Sequence, residues 1–260
     1  MRKKLAAFNF TLCLLCLADS CVAQDDSDQT IPILESRHRL DFSLVYLDSN
    51  LDDSLNAGFG YAYNFTPKTN FSIAVSYLDS RLDQEGGSGI GDTSLAFSWS
   101  PYTPLSVGPW VPRRIGTGIG LVLPTGDAAD GRSVDATVIA PFLGLVVPVT
   151  DSLFIYPSLS YMGSFDQTIV GEDLSLGVVD VGAGWVSTSG VFLNAYIAWV
   201  KDFEVGETYL NTQLSLGMSF SHNWSASIAW DQTDFFIPGT IVDFEAHLER
   251  QIAFNLHYNF

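Results

Sequence analysis

The chain has four histidines, the side chains best suited to acid–base or metal chemistry near neutral pH. They are His38, His222, His247 and His257. A serine hydrolase needs a histidine within hydrogen-bond reach of the nucleophile. In the run from His222 to Ser225, strand alternation places histidine and serine on opposite faces. His247 and His257 lie roughly 34 Å apart along one strand, so they cannot share a metal or act together. We therefore expect no enzyme.

Acidic residues are numerous enough that close pairs arise without a function, as in Asp52-Asp53 and in Glu204 with Glu207. Asp127, Asp130 and Asp135 could chelate Ca²⁺ in a flexible loop, but their spacing matches no ordered calcium loop. We interpret them as a solvated acidic loop. The sequence predicts no metal site and no other cofactor.

The overall composition excludes several classes of protein. The 260 residues include 29 acidic and 12 basic side chains, a formal net charge of −17. Such an excess of carboxylates repels phosphate, so no nucleic-acid partner is expected. The 47% hydrophobic content is too high for a disordered chain. No apolar run of about 18 residues follows the first segment, which excludes a bundle of membrane-spanning helices.

The first 23 residues have the pattern of a secretory signal peptide. Basic residues 2–4 precede the apolar run 5–17, and Ala23 is a suitable cleavage site. All three cysteines lie in this segment, so the exported chain is expected to have neither disulfides nor thiolate chemistry. Residues 24–36 would then form a periplasmic or plug segment, and residues 37–260 the remaining domain.

In residues 37–260, apolar side chains alternate with small or polar ones. In 55–65 the odd-numbered residues are apolar or aromatic, and in 210–220 the even-numbered residues are mostly apolar. This period of two predicts strands with one apolar face. The predicted strands are 37–48, 54–65, 70–79, 92–100, 113–124, 135–149, 152–163, 173–187, 191–200, 207–220, 224–231 and 243–260. Ten or fourteen strands stay open as alternatives, since in 135–163 both faces look apolar.

Two all-β architectures show this alternation, the soluble sandwich and the transmembrane barrel. The last predicted strand spans about 18 residues, whereas strands of soluble domains usually have about 5–6. Aromatic residues mark strand ends, as Phe65 and Phe71 do around one turn. Short and long connections alternate along the chain. These features favour an all-β transmembrane antiparallel up-and-down β-barrel of about 12 strands in the bacterial outer membrane.

The last residues alternate to the end of the chain. This segment resembles the C-terminal strand that the outer-membrane assembly machinery recognises, which ends in an aromatic residue. The alternating residues are Ile252, Phe254, Leu256, Tyr258 and Phe260. The resemblance implies that machinery as a partner, beside outer-membrane lipid and lipopolysaccharide. An ordinary amphipathic last strand is the alternative.

Two glycine-rich stretches carry a further resemblance. One contains Gly89, Gly91 and Asp92, and the other contains Pro124, Thr125, Gly126 and Asp127. Together they resemble the outer-membrane family labelled as putative phenol meta-pathway degradation proteins, also called transporters. The strand pattern covers most of residues 37–260, but only these two stretches are specific. The resemblance implies a barrel that passes hydrophobic aromatic compounds.

The small and polar face of the predicted strands would line the lumen. Its candidate residues are Asn56, Asn64, Arg114, Asn194, Tyr196, Asn211, Gln213 and His257. They are mostly neutral and form no ladder of basic side chains that would attract anions. We expect a passive channel or transporter for small neutral or hydrophobic, including aromatic, solutes. A closed barrel that acts structurally or adhesively through its loops is the alternative, and an outer-membrane enzyme comes a distant third.

Overall fold

The computed structural model describes residues 37–49, 53–66, 68–80, 88–101, 112, 114–127, 133, 135–167, 173–204, 206, 208–235 and 249–260. The predicted signal peptide (1–23) and the segment 24–36 lie outside these residues, as do Asp130 and His247. The described part of the chain contains no helix with the length and apolar character that crossing a membrane requires.

The described residues form twelve strands in one closed antiparallel sheet. The strands are β1 (His38–Ser49), β2 (Asp53–Thr66), β3 (Thr69–Ser80), β4 (Ser88–Trp99), β5 (Arg114–Leu123), β6 (Val138–Pro148), β7 (Leu153–Ser164), β8 (Ser175–Val186), β9 (Val191–Asp202), β10 (Thr208–Ser219), β11 (Trp224–Phe235) and β12 (Glu249–Asn259). Each strand pairs with its neighbours in sequence, and β1 pairs with β12 to close the barrel. The predicted fold class and strand number are confirmed.

Large apolar side chains cover the outside of this barrel. Along β8 the exposed Val179 and Val181 alternate with the buried Val178 and Asp180. The same alternation exposes residues on the other strands, including Phe42, Leu44, Phe97, Ile119, Leu143, Leu214 and Ile228. A closed sheet satisfies its backbone hydrogen bonds internally, so its apolar face can contact lipid. The fold is that of a transmembrane β-barrel.

Strand β1 begins and strand β12 ends at the same rim of the barrel. Four short connections lie at this rim as well, between β2 and β3, β6 and β7, β8 and β9, and β10 and β11. In barrels of this kind the short turns face the periplasm. We call this rim the periplasmic end and the opposite rim the outer end.

Three predicted strand limits differ from the structure by three or more residues. Strand β4 begins at Ser88 rather than at residue 92, because a register shift opposite Val75 and Tyr77 absorbs an extra residue. Strand β6 begins at Val138 rather than at 135, because Asp135 has a φ of 58° and turns the chain. Strand β11 continues to residue 235 rather than ending at 231. The predicted start of β12 at residue 243 lies outside the described residues.

Aromatic rings surround the periplasmic end where the barrel closes. The ring of Phe260 stacks on His38 with centroids 5.1 Å apart, and the two residues exchange backbone hydrogen bonds. The ring of Tyr258 lies 4.5 Å from that of Trp224 on β11. Such rings are typical of the interfacial girdle of membrane barrels. Recognition of this C-terminal strand by the assembly machinery stays a prediction.

Candidate functional site in the barrel lumen

The eight predicted lumen residues all lie at inward positions of their strands. Asn56, Arg114 and Asn194 are buried, and the other five are half-buried. Tyr196 and Gln213 are direct cross-strand neighbours on β9 and β10. Asn194 and Asn211 lie on the same two strands, and the Asn194 amide donates to Ser215 at 3.4 Å. Asn56, Asn64, Arg114 and His257 are distributed over β2, β5 and β12, away from this group.

Sequence reasoning missed the inward-facing aspartates. Asp180 accepts a hydrogen bond from Ser158, and Asp231 accepts one from Asn211 at 3.1 Å. Asp202 at the end of β9 is also buried. The signal was present in the alternation, because an aspartate between the apolar Val179 and Val181 must lie on the face opposite to theirs. The lumen is therefore less neutral than its predicted residues suggested.

A charged cluster lies inside the barrel where β1 meets β12. The Asp41 carboxylate accepts from Nδ1 of His257 at 2.6 Å and from Nε of Arg39 at 2.9 and 3.1 Å. The three side chains are about 15% exposed. Gly60 on β2 leaves space here, since a Cβ at that position would lie 3.3 Å from Cβ of Asp41. The cluster links the first strand of the barrel to the last.

The inward charges favour cations over anions. The described inward aspartates are Asp41, Asp180, Asp202 and Asp231, whereas the described inward arginines are Arg39 and Arg114. In a narrow cavity with low-dielectric walls, such an imbalance produces a negative potential that concentrates cations. Among the described residues, no group of three or more His, Cys, Asp and Glu side chains is placed to hold a metal ion.

Inward aromatic rings lie flat against the wall, over glycines of the neighbouring strands. A Cβ on Gly182 would lie 2.4 Å from the Tyr196 ring, and one on Gly217 would lie 2.1 Å from the Phe192 ring. The ring of Phe142 covers Gly118 in the same way. Phe142 therefore faces the lumen, which settles the orientation of β6, where both faces looked apolar. The glycines let large rings lie against the wall instead of crossing the lumen.

An apolar cluster occupies the inward face near the outer end. Its buried members come from β5 to β8 and are Val122, Val138, Met162, Leu176 and Val178. Ala140 and Val200 pack against them. The lumen is thus apolar along the β5–β9 wall at its outer end. The β9–β12 wall is mostly polar, with a smaller apolar cluster in which Ala229 and Ala253 pack with Val45 of β1.

The two glycine-rich stretches of the sequence meet at the outer end. Thr125 donates through Oγ1 to the carbonyl of Gly91 at 3.1 Å, and its Oγ1 lies 2.8 Å from Oγ1 of Thr93. Gly89 is the second residue of β4 and lies opposite Leu78 of β3. Pro124 and Asp127 are exposed beyond the end of β5. The two stretches therefore hold the first residues after β5 against strand β4 at this rim.

Comparison with known proteins gives similar folds and no relative in sequence. No protein-family model and no curated protein matches the chain. The NanC porin superimposes with a TM-score of 0.62 at 10% identity, over 85% of this chain and 100% of that one. The KdgM porin gives 0.57 at 13% identity, over 85% and 99%. An outer-membrane channel from Pseudomonas putida gives 0.58 at 10% identity, over 91% and 100%. At these identities the similarity is one of fold, and the resemblance to the phenol meta-pathway family stays a prediction.

Proposed function

We propose that this protein is a passive outer-membrane channel for small neutral or hydrophobic solutes, aromatic ones included. The observation that carries the proposal is the inward face of the closed barrel, with a polar wall on one side and an apolar wall on the other. The barrels of similar fold are described as porins or channels, which supports the same assignment. The phenol meta-pathway resemblance supports an aromatic solute.

The dimensions of the barrel fit small solutes only. Twelve tilted strands about 4.8 Å apart give a backbone radius of roughly 11 Å. Inward side chains occupy much of this width, and the rings over Gly118, Gly182 and Gly217 take up less of it than projecting rings would. Because aspartates outnumber arginines among the described inward charges, anionic solutes are disfavoured and neutral or cationic ones tolerated.

The second candidate is a closed barrel with a structural or adhesive role. The apolar cluster favours it, because Val138 is 0% and Val178 is 2% exposed. Side chains packed this tightly near the outer end leave little room for water on that wall. In this case the loops of the outer end would carry the function.

Conductance separates the two candidates. The barrel without residues 1–23 is refolded, its folding is checked by the gel mobility shift on heating, and single-channel current is recorded in planar bilayers. Discrete steps that shrink in the presence of phenol or a monosaccharide are the expected result. Silence from folded protein would reject the open channel and favour the closed barrel.

The membrane location and the partners belong to the same proposal. The apolar outer face and the aromatic girdle support embedding in outer-membrane lipid, with lipopolysaccharide around the acidic outer rim. The alternation that ends at Phe260 supports delivery by the assembly machinery. Sucrose-gradient fractionation tests the location, and recovery in a soluble periplasmic extract would contradict it. Deletion of Phe260 is expected to lower the amount of inserted protein.

A further inference from the structure

The hydrogen-bond ladder between β6 and β7 is interrupted twice, although the register between the two strands does not shift. Pairing is continuous at Phe142/Ser160, Leu143/Leu159 and Gly144/Ser158, and again near each strand end. The four facing pairs that are not bridged are Ala140/Met162, Pro141/Tyr161, Leu145/Pro157 and Val146/Tyr156. Each interruption contains one proline.

Both prolines direct their backbone nitrogen into this seam. The β5–β6 ladder runs unbroken past Pro141, and the β7–β8 ladder runs unbroken past Pro157. A strand residue directs its N–H and C=O to one side, so the missing donors belong to the β6–β7 side. Proline has no N–H, and it is otherwise found almost entirely on edge strands and at bulges. Two prolines facing one seam of a closed barrel therefore weaken that seam specifically.

The weakened seam has apolar groups on both sides. On the inside, Met162 belongs to the apolar cluster and Ala140 packs against it. On the outside, Leu143 and Leu159 are 48% and 55% exposed and face lipid. Because hydrocarbon offers the carbonyls of the seam no replacement donor, a ladder that lacks two donors opens at lower cost than its neighbours. An uncharged apolar solute passing between β6 and β7 would contact apolar side chains on both the lumen side and the lipid side of the wall.

We propose that the seam between β6 and β7 is a lateral exit through which small apolar solutes pass between the lumen and the outer-membrane hydrocarbon. The inference rests on the proposed function in one respect, namely that solutes enter the lumen. It adds a second route, distinct from axial passage to the periplasm, and assigns it to apolar solutes. Hydrated ions and sugars would not follow this route, since leaving water for hydrocarbon is too costly for them.

A disulfide across the seam tests this exit. The variant L143C/L159C places two cysteines at directly paired positions, where the spacing of paired strands suits a disulfide. The control L193C/L216C stabilises an uninterrupted pair on β9 and β10 with the same residue types, also facing lipid. Intact cells expressing each variant are treated with oxidant or reductant. Entry of the apolar dye N-phenylnaphthylamine is followed by fluorescence, and ionic conductance is measured in planar bilayers.

Oxidised L143C/L159C is expected to reduce dye entry to the level of cells without the protein, and reduction is expected to restore it. Its conductance and both readouts of the control should not change. Equal dye entry before and after oxidation would overturn the lateral exit while leaving the channel intact. A parallel loss of dye entry and conductance would also overturn it, because both solutes would then use the axial path. Absence of both conductance and dye entry in the unsubstituted barrel would instead contradict the proposed function.

Discussion

The backbone N–H of Gly126 donates to the carboxylate of Asp92 across the outer rim of the barrel, at 3.1 Å. The two residues belong to different glycine-rich stretches, 34 positions apart in sequence. Asp92 lies where β4 shifts its register, and Gly126 lies just after β5 ends. The bulge therefore aims a carboxylate at the first turn of the β5–β6 loop. The contact explains in structural terms why the two stretches occur together, without reference to any solute.

Substitution of Asp92 by alanine is expected to loosen the β5–β6 loop without unfolding the barrel. Loss of one hydrogen bond to a carboxylate costs about 2 kcal/mol. Amide hydrogen exchange at Gly126 should accelerate, and proteolysis within residues 124–137 should become faster. Asp151→Ala, in an exposed periplasmic turn, is the control. Unchanged exchange at Gly126 would show that the contact does not hold the loop.

Asp41→Asn is expected to weaken the closure of the barrel between β1 and β12. The substitution removes the charge that compensates Arg39 and binds His257, and such charged hydrogen bonds contribute about 2 kcal/mol. The temperature at which the folded band disappears in a heat-modifiability gel should fall. Asp48→Asn, at an exposed outward position of the same strand, should leave it unchanged. Equal shifts in both variants would assign the effect to strand β1 in general.

Neutralising the inward aspartates is expected to reduce the cation preference of the channel. Asp180→Asn combined with Asp231→Asn removes two negative charges from the lumen, one on β8 and one on β11, and retains side chains of similar size. The reversal potential across a KCl gradient should move toward zero, with a folded barrel by gel shift. Asp151→Asn outside the lumen is the matched control. A reversal potential that does not move would place the ion path away from these two carboxylates.

Gly182→Ala is expected to narrow the lumen by displacing one ring. The added Cβ would lie 2.4 Å from the Tyr196 ring, which must swing away from the wall. Conductance should fall, and Tyr196→Ala in the same chain should restore it. Gly120→Ala is the control, because its nearest neighbour would lie at an ordinary 3.5 Å. If the double substitution did not restore the current, displacement of the Tyr196 ring would not be the cause of the lower conductance.

Much of this architecture follows from the alternation of the sequence, because a period of two assigns each residue to one face. The strand number, the topology and the inward positions of Asn194 and Gln213 could be predicted in this way. Contacts between strands that are distant in sequence could not be predicted. Asp41 and His257 are 216 positions apart, and only the closure of β1 on β12 brings them to 2.6 Å. The proline-interrupted seam likewise depends on register, because Pro141 and Pro157 become related only when β6 and β7 are aligned.

Replacing both seam prolines by alanine is expected to close the β6–β7 ladder. Pro141→Ala and Pro157→Ala each restore an N–H that can donate to the facing strand, and a hydrogen bond contributes about 1 kcal/mol. Amide exchange in β6 and β7 should slow, and dye entry into intact cells should fall while conductance persists. Pro148→Ala is the control, since Pro148 is an even-numbered residue of β6 and directs its nitrogen toward β5. If the double substitution protected the amides yet dye entry continued at its original rate, the weak ladder would be a structural feature and solutes would leave the lumen elsewhere.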